Sequence, residues 1–314
     1  MNSLNDTGKA IEIQNLSRKF GEFWAVRSMA LSVNKGEIFG LVGPDGAGKT
    51  TIMRMAAGVL LPSEGDVLVD GYSVTTDPEM VKQRIGYMSQ KFGLYGDLTV
   101  MENLRFYGDL YEIPRENREA AEEKLLGFSN LTPFKDRKAK DLSGGMKQKL
   151  GLACSLVHRP SVLLLDEPTN GVDPVSRRDF WKILHEMVKE GVTVFVSTSY
   201  LDEAERCERV AMIEEGQLTM CDNPRNLKDT ISGSILEIKS DDSRKMIHAL
   251  KERYGKMRSD IVAGVIRFRL PEDSSLEKIE NELKEIGFSL FSIEEARPTL
   301  EDVFVSRAMK AEAR

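Results

Sequence analysis

Apolar and polar positions alternate near the start of the chain, then gather into short solid runs farther along. Residues 11–13, 18–26 and 29–33 alternate with a period of two, which predicts antiparallel strands separated by turns. The runs 37–42, 162–165 and 192–196 are apolar and of strand length. Runs of this kind predict strands buried on both faces, as in a parallel sheet. A strand is expected to resume within 60–70, after the breaks at Pro62 and Gly65, and another short one spans 86–90. Helical spacing is expected at 52–57, 99–111, 114–127, 144–157, 175–190 and 201–209, and a hairpin at 210–213 and 216–220. Thr99 followed by Glu102 has the form of a capping box, and 92–98 reads as a glycine-containing loop. Residues 92–158 therefore form a mostly helical insertion in an α/β core. From residue 234 the period changes. Strand 235–238, helix 244–254, one or two strands within 262–270, helix 276–286 and strand 288–294 suit a small ferredoxin-like α+β domain.

With 314 residues, the expectation is about two domains. Charged residues make up 30% and hydrophobic ones 41%, as in an ordinary globular chain. The formal net charge of −6 argues against nucleic acid as the main partner. The apolar runs are too short to span a bilayer, and the first ten residues lack the apolar core of a signal peptide. Cys154, Cys207 and Cys221 show no C-x-x-C spacing and read as reduced thiols without a metal role. His158, His185 and His248 are scattered and read as structural or solvent-facing.

Candidate chemistry centres on 43–51, GPDGAGKTT. An apolar strand precedes it and a breaker-free helix follows, the context a G-x-x-x-x-G-K-[ST] phosphate loop requires. Gly43, Gly46 and Gly48 let the backbone turn its N–H groups toward a polyphosphate, and the helix start, at Thr50 and Thr51, adds positive potential. Lys49 would reach the phosphates, and the Thr50 hydroxyl would ligate Mg²⁺. Strand 162–165 ends in Asp166 and Glu167, where α/β proteins build sites. Asp166 would hold Mg²⁺ through water, and Glu167 would polarise an attacking water. Ser143 caps the helix opened by Gly144 and Gly145, either a second anion site or simply a cap with flexible glycines. Phe20, beside a Gly turn with Phe23 and Trp24 nearby, is either a core aromatic or an exposed ring for stacking a purine.

The order of these features resembles the ATP-binding cassette (ABC) ATPases over about residues 10–228. GPDGAGKT matches the family's Walker A loop, VLLLDE (Val162 to Glu167) its Walker B strand, and LSGGMKQ (Leu142 to Gln148) its signature. Gln90 matches the Q-loop glutamine, which joins Thr50 and Asp166 around the metal. Phe20 falls at the adenine-stacking position and Asp173 in the D-loop. The fold so implied is an α/β P-loop NTPase cassette with an antiparallel β subdomain and helical insertion, followed by the small α+β domain at 234–314. The resemblance implies ATP and Mg²⁺ as ligands and two cassettes closing head to tail. Each ATP would lie between one Walker A loop and the signature of the other cassette, where Ser143, Gly144, Gly145 and Gln148 would meet it. It also implies integral-membrane permease subunits as partners, and a cytoplasmic, peripheral location at the inner face of the cell membrane. A groove around 91–111, with Phe92, Leu94 and Tyr95, would grip a helix of the permease.

Two positions depart from the family pattern. Ser199, in STSYLDEAE, stands where the family places its switch histidine. Serine is short and uncharged, and loss of such a positioned group typically costs about 10²–10⁴ in rate. Asp45 stands where many relatives carry asparagine, which places a carboxylate near phosphates and calls for a basic neighbour. These variants resemble the first half of tandem two-ATPase subunits of type-2 ABC exporters. With one cassette in this chain, the expected second ATPase is separate, whether a copy or a different subunit. Residues 297–304 resemble the end of the accessory domain of the same exporters, a dimerising or stabilising appendage or a regulatory domain. The leading expectation is an exporter ATPase. The alternatives are a nucleotide-binding regulatory subunit with little turnover and a soluble ABC ATPase acting on DNA or ribosomes, which usually has two cassettes, a coiled coil or zinc sites.

Overall fold

The computed structural model describes residues 8–312 except 92, 115, 117, 232, 256–258, 263, 271–273 and 290. It divides into two units, Met1–Asn223 and Pro224–Arg314.

The first unit opens with a long hairpin, β1 (Lys9–Phe20) and β2 (Phe23–Asn34). The sequence pattern suggests a break at 14–17. The chain instead runs straight through and turns at Gly21 and Glu22. The lost alternation is taken up by register shifts between Ile13 and Arg18 and by left-handed backbone at Asn15 and Ser28. β4 (Glu64–Val69) and β5 (Tyr72–Ser73) complete an antiparallel sheet of order β2-β1-β4-β5.

The second sheet has six strands. β3 (Ile38–Val42), β6 (Ile85–Met88), β7 (Val162–Asp166), β8 (Thr193–Thr198), β9 (Arg209–Glu214) and β10 (Gln217–Asp222) lie in the order β10-β9-β3-β8-β7-β6. All pairs are parallel except β9 with β10. Every residue of β3, β7 and β8 is buried, which is why these strands read as solid apolar runs. α1 (Lys49–Ala56) buries Ile52, Met53, Met55 and Ala56 in a core shared with the β1–β2 hairpin and strands of both sheets. A short helix, α2 (Pro78–Lys82), leads into β6.

Between β6 and β7 lie α3 (Val100–Leu110), α4 (Arg118–Phe128) and α5 (Gly144–Ser155). The capping box forms: Glu102 N–H donates to Thr99 Oγ1 at 3.1 Å, and Thr99 N–H to the Glu102 carboxylate at 2.7 Å. α6 (Pro174–Lys189) joins β7 to β8. α7 is only Leu201–Ala204, much shorter than the helical period at 201–209 suggests. Glu208 explains the early stop. Its N–H donates to Ile38 O at 3.0 Å, and its carboxylate accepts from Ile38 N at 2.6 Å, so the chain has joined the sheet by then.

The second unit begins with α8 (Pro224–Asp229), a helix the sequence pattern did not suggest. β11 (Ile235–Ser240), α9 (Ser243–Tyr254), β12 (Ser259–Val262), β13 (Val265–Arg269), α10 (Leu276–Glu285) and β14 (Phe291–Ala296) follow. The stretch expected to hold one or two strands holds two. The sheet order is β12-β13-β11-β14 and all pairings are antiparallel, the ferredoxin-like arrangement. Leu236, Ile238, Met246, Leu250, Ile266, Phe268, Ile279 and Leu283 form its own core. The chain ends in α11 (Leu300–Glu312), likewise unforeseen. Arg267 ion-pairs with Asp302 at 2.9 Å and with Glu237, tying α11 to the sheet of this unit.

Candidate functional site

The carboxyl ends of β3, β6, β7 and β8 converge. Register places Val42 opposite Thr198, Asp166 opposite Ser197, and Met88 opposite Leu165. The loops leaving these strands therefore rise side by side. They border a cleft of about 440 Å³ lined by Asp45, Gly46, Gly48, Lys49, Thr50, Thr51, Gln90, Glu167 and Asn170, and by Phe20, Phe23 and Ala25 from the hairpin.

The loop after β3 owes its shape to backbone that side chains resist. Gly48 caps α1 with φ of 100°, and a Cβ there would lie 2.6 Å from the Ala25 carbonyl oxygen. No side chain caps α1, and no acidic residue occupies its first turn, so its leading N–H groups stay available to an anion. Lys49 is buried. Its Nζ donates to Gly43 O at 2.8 Å and Pro44 O at 3.0 Å, and it meets the Glu167 carboxylate at 3.1 Å. Asp45, fully in solvent, approaches the same Nζ at 3.9 Å, so Lys49 is the basic neighbour that its carboxylate calls for.

Asp166 is buried, and Thr50 and Ser197 donate to its Oδ1 at 3.1 and 2.8 Å. Its Oδ2 is buried with no partner. Burial pushes the Asp166 carboxyl above the usual range, the two hydroxyls pull it back, and the neighbouring Glu167 charge raises it further. A hydroxyl beside a carboxylate with a free oxygen is a donor set suited to a hard divalent cation. Among the described residues no group of three or more His, Cys, Asp or Glu side chains could hold a metal, so a cation here needs oxygens from a ligand as well. Thr50 and Asp166 thus fit Mg²⁺ held jointly with a phosphate.

Glu167 sits at φ 47°, a left-handed conformation that costs a non-glycine residue about 1–3 kcal/mol and tends to mark functional sites. Ser197 maintains it: Glu167 N–H donates to Ser197 Oγ at 3.0 Å and to Ser197 O at 3.2 Å. Gln90 and Asn170 donate to its Oε2 at 3.2 and 3.3 Å. The carboxylate is therefore held by Lys49, Gln90 and Asn170 at the cleft floor.

Ser199 follows β8 directly and is exposed, outside the lining of the cleft. Ser143 is exposed at the start of α5 and caps it by accepting from Met146 N–H at 3.3 Å. Gly144 is exposed and Gln148 half-buried; none of the signature residues lines the cleft. Gly145 packs on α6, where a Cβ would fall 2.5 Å from Ser176. Asp173 caps α6 by accepting from Val175 and Ser176 N–H, and the Ser176 bond holds its carboxyl below the usual range. The chain thus carries two separate constellations, the cleft and the α5 start. Of the apolar groove residues, Leu94 is half-buried and Tyr95 is 48% exposed, its ring tilted against Phe106 with centroids 4.4 Å apart, while Phe92 lies outside the described residues.

Sequence reasoning missed Ser197 and Glu203. Ser197 is one of three hydroxyls in β8, with Thr193 and the adjacent Thr198, and nothing local sets it apart. Glu203, fully buried, accepts from Thr169 at 2.5 Å and Thr198 at 2.8 Å and pairs with Arg177 at 3.3 Å, and no local pattern marks it.

Comparison with known proteins bears on the family and the fold. Residues 26–170 match the family model described as "ABC transporter". The chain is 44% identical over 285 residues to the Escherichia coli probable multidrug ABC transporter ATP-binding protein YbhF, covering 90% of this chain and 48% of that protein. The chain thus spans about half the length of that relative. It is 33% identical over 298 residues to the Nod factor export ATP-binding protein I of Rhizobium leguminosarum bv. viciae, covering 94% of each. Among solved structures, an ATP-binding subunit of an ABC transporter aligns with a TM-score of 0.64 at 26% identity, over 70% of this chain and 92% of the other. The cassette MJ0796, solved as a dimer bound to ADP and phosphate, aligns with a TM-score of 0.61 at 26% identity, over 68% and 98%.

Proposed function

The chain belongs to the ATP-binding proteins of ABC transporters, and from that premise we propose that it binds MgATP in the cleft and couples its hydrolysis to export through a membrane permease. The observation that carries this reading is the convergence of Lys49, the uncapped start of α1, Thr50 with Asp166, and Glu167 on one cleft. In it the phosphates displace the Gly43 and Pro44 carbonyls from Lys49 and lie against the N–H groups of α1. Phe20 takes the base. Mg²⁺, when bound at Thr50 and Asp166 near Gln90, neutralises charge on the phosphates. Glu167, released from Lys49 by the same event, accepts a proton from the attacking water.

A second cassette, a copy or a different subunit, completes the site. Ser143, Gly144, Gly145 and Gln148 meet the nucleotide of that partner, with Asp173 beside them at the start of α6. The permease helix lies against the exposed side of α3, where Tyr95, Leu110 and Tyr111 offer solvent-facing apolar surface. The names of the relatives, a probable multidrug transporter protein and a Nod factor export protein, support an exporter; the type-2 class and the likeness to the first half of a tandem pair rest on the sequence resemblance. No described helix is long and apolar enough to cross a membrane, in keeping with a subunit that docks on the inner face. The second unit, 224–314, is the accessory domain of this assembly.

One observation favours a second reading, a nucleotide-binding subunit of low turnover. Ser199 is exposed and its hydroxyl bonds none of the site groups, so nothing replaces the switch imidazole at that position.

Calorimetric titration with MgATP tests the central reading. Lys49→Ala is expected to weaken binding about tenfold to a hundredfold, the worth of a charge-assisted contact. Equal affinity in the two proteins would place the nucleotide elsewhere.

A further inference from the structure

Phe20 does not stand alone at the cleft edge. It is 45% exposed, at the end of β1, where an unsupported ring would sample several rotamers. The Arg18 guanidinium lies 4.6 Å from the centroid of that ring. Arg18 is itself anchored: its Nη1 donates to the Leu61 carbonyl at 2.8 Å, in the segment between α1 and β4. Its Nε is buried without a partner. The guanidinium has therefore given up solvent on one edge and is held by one carbonyl and one aromatic face. Phe23, 66% exposed and directly opposite Phe20 in register, lines the cleft beside it.

We propose that Arg18 is a positioning residue for the nucleotide base: anchored on Leu61, it backs one face of Phe20 and leaves the other face fixed toward the cleft for a purine. The proposal rests on the nucleotide reading of the cleft and names the part of the ligand that Arg18 serves. Two effects add. A ring already fixed by its neighbour loses less freedom when the base stacks. A cation against the back of the ring is attracted to its π face and drains negative charge from it, which favours an electron-rich purine on the other side. Neither effect reaches the phosphates, which contact Lys49 and the start of α1.

Separating base from phosphates gives the test. The full chain is titrated with MgATP and with magnesium tripolyphosphate, which offers the phosphate loop the same kind of ligand without a base. Arg18→Met, which keeps length and loses charge and plane, is expected to weaken ATP about threefold to tenfold and leave tripolyphosphate unchanged. Phe20→Ala should weaken ATP at least as much, and adding Arg18→Met to it should cost nothing further, because Arg18 acts through the ring. Equal losses for both ligands would make Arg18 a general support of the hairpin and overturn the proposal. So would an unchanged ATP affinity, or an Arg18 effect that persists without Phe20. Wild-type chain that binds neither ligand would overturn the nucleotide reading itself, a different failure from one confined to the base.

Discussion

At the scale of single residues, the account turns on charges held where they cost most. Lys49 and Glu167 are both buried, 3.1 Å apart, each satisfied by the other and by the loops around them. In the proposed nucleotide complex phosphates would compete for Lys49, and every contact they took from it would loosen Glu167. The left-handed backbone at Glu167 keeps its carboxylate at the cleft floor in either case. Glu167→Gln keeps the shape and the bonds to Gln90 and Asn170 but cannot accept a proton. Turnover at this cleft, measured in a Ser199→His background, should fall about 10²–10⁴-fold with ATP still bound. Steady-state hydrolysis beside a binding titration checks this; retained turnover would take Glu167 out of the chemistry. These residues were legible in the sequence because the phosphate loop and the DE pair have local spacing that chemistry dictates. Ser197 and Glu203 were not, since their roles exist only once β7 and β8 lie side by side.

At the scale of elements, the site is a set of loops kept in place by buried polar clamps. Glu203 on α7 gathers Thr169 after β7, Thr198 at the end of β8, and Arg177 on α6. Glu203→Leu leaves two buried hydroxyls without their acceptor and takes from Arg177 the closer and buried one of its two carboxylates, the other being Asp202 at 3.8 Å. The cost should be about 3–5 kcal/mol, read as a lower denaturation midpoint followed by Trp181, which is buried in the same unit. A loss below about 1 kcal/mol, typical of an exposed pair, would deny the clamp.

A second element-scale support is His158, which donates from Nε2 to Ile85 O at 2.8 Å and stacks on Tyr111 at 3.8 Å. Burial lowers its pKa, only partly offset by that bond. The folded form therefore holds the ring neutral while the unfolded chain protonates near its ordinary value. Stability from this group is full above about pH 6.5 and is lost as pH falls through that value toward the lowered one. His158→Gln should flatten that part of the stability profile; an unchanged slope would assign it elsewhere. Element types were largely readable from periodicity, and boundaries less so. The turn of the first hairpin and the end of α7 moved because bulges and the Glu208–Ile38 pairing act across the sheet. α8 and α11 went unseen.

At the scale of the whole molecule, the separation of the cleft from the α5 start is what the proposed pairing of two cassettes uses, each chain then being half of each of two sites. In that proposal its own cleft keeps the binding groups and Glu167 with Ser199 at the switch position, while Ser143 through Gln148 would complete the cleft of a partner. In the proposed reading the cleft binds ATP and hydrolyses it slowly, with Ser199 as the reason the rate is low. The most direct measurement is ATP turnover of the purified chain and of Ser199→His across a range of protein concentration. The account predicts a nearly silent wild type and a gain of about 10² or more in the histidine variant, with a rate per chain that rises with concentration as cassettes pair. A wild type that already turns over rapidly, with little gain from histidine, would contradict it and make a symmetric pair of fully active copies the better description.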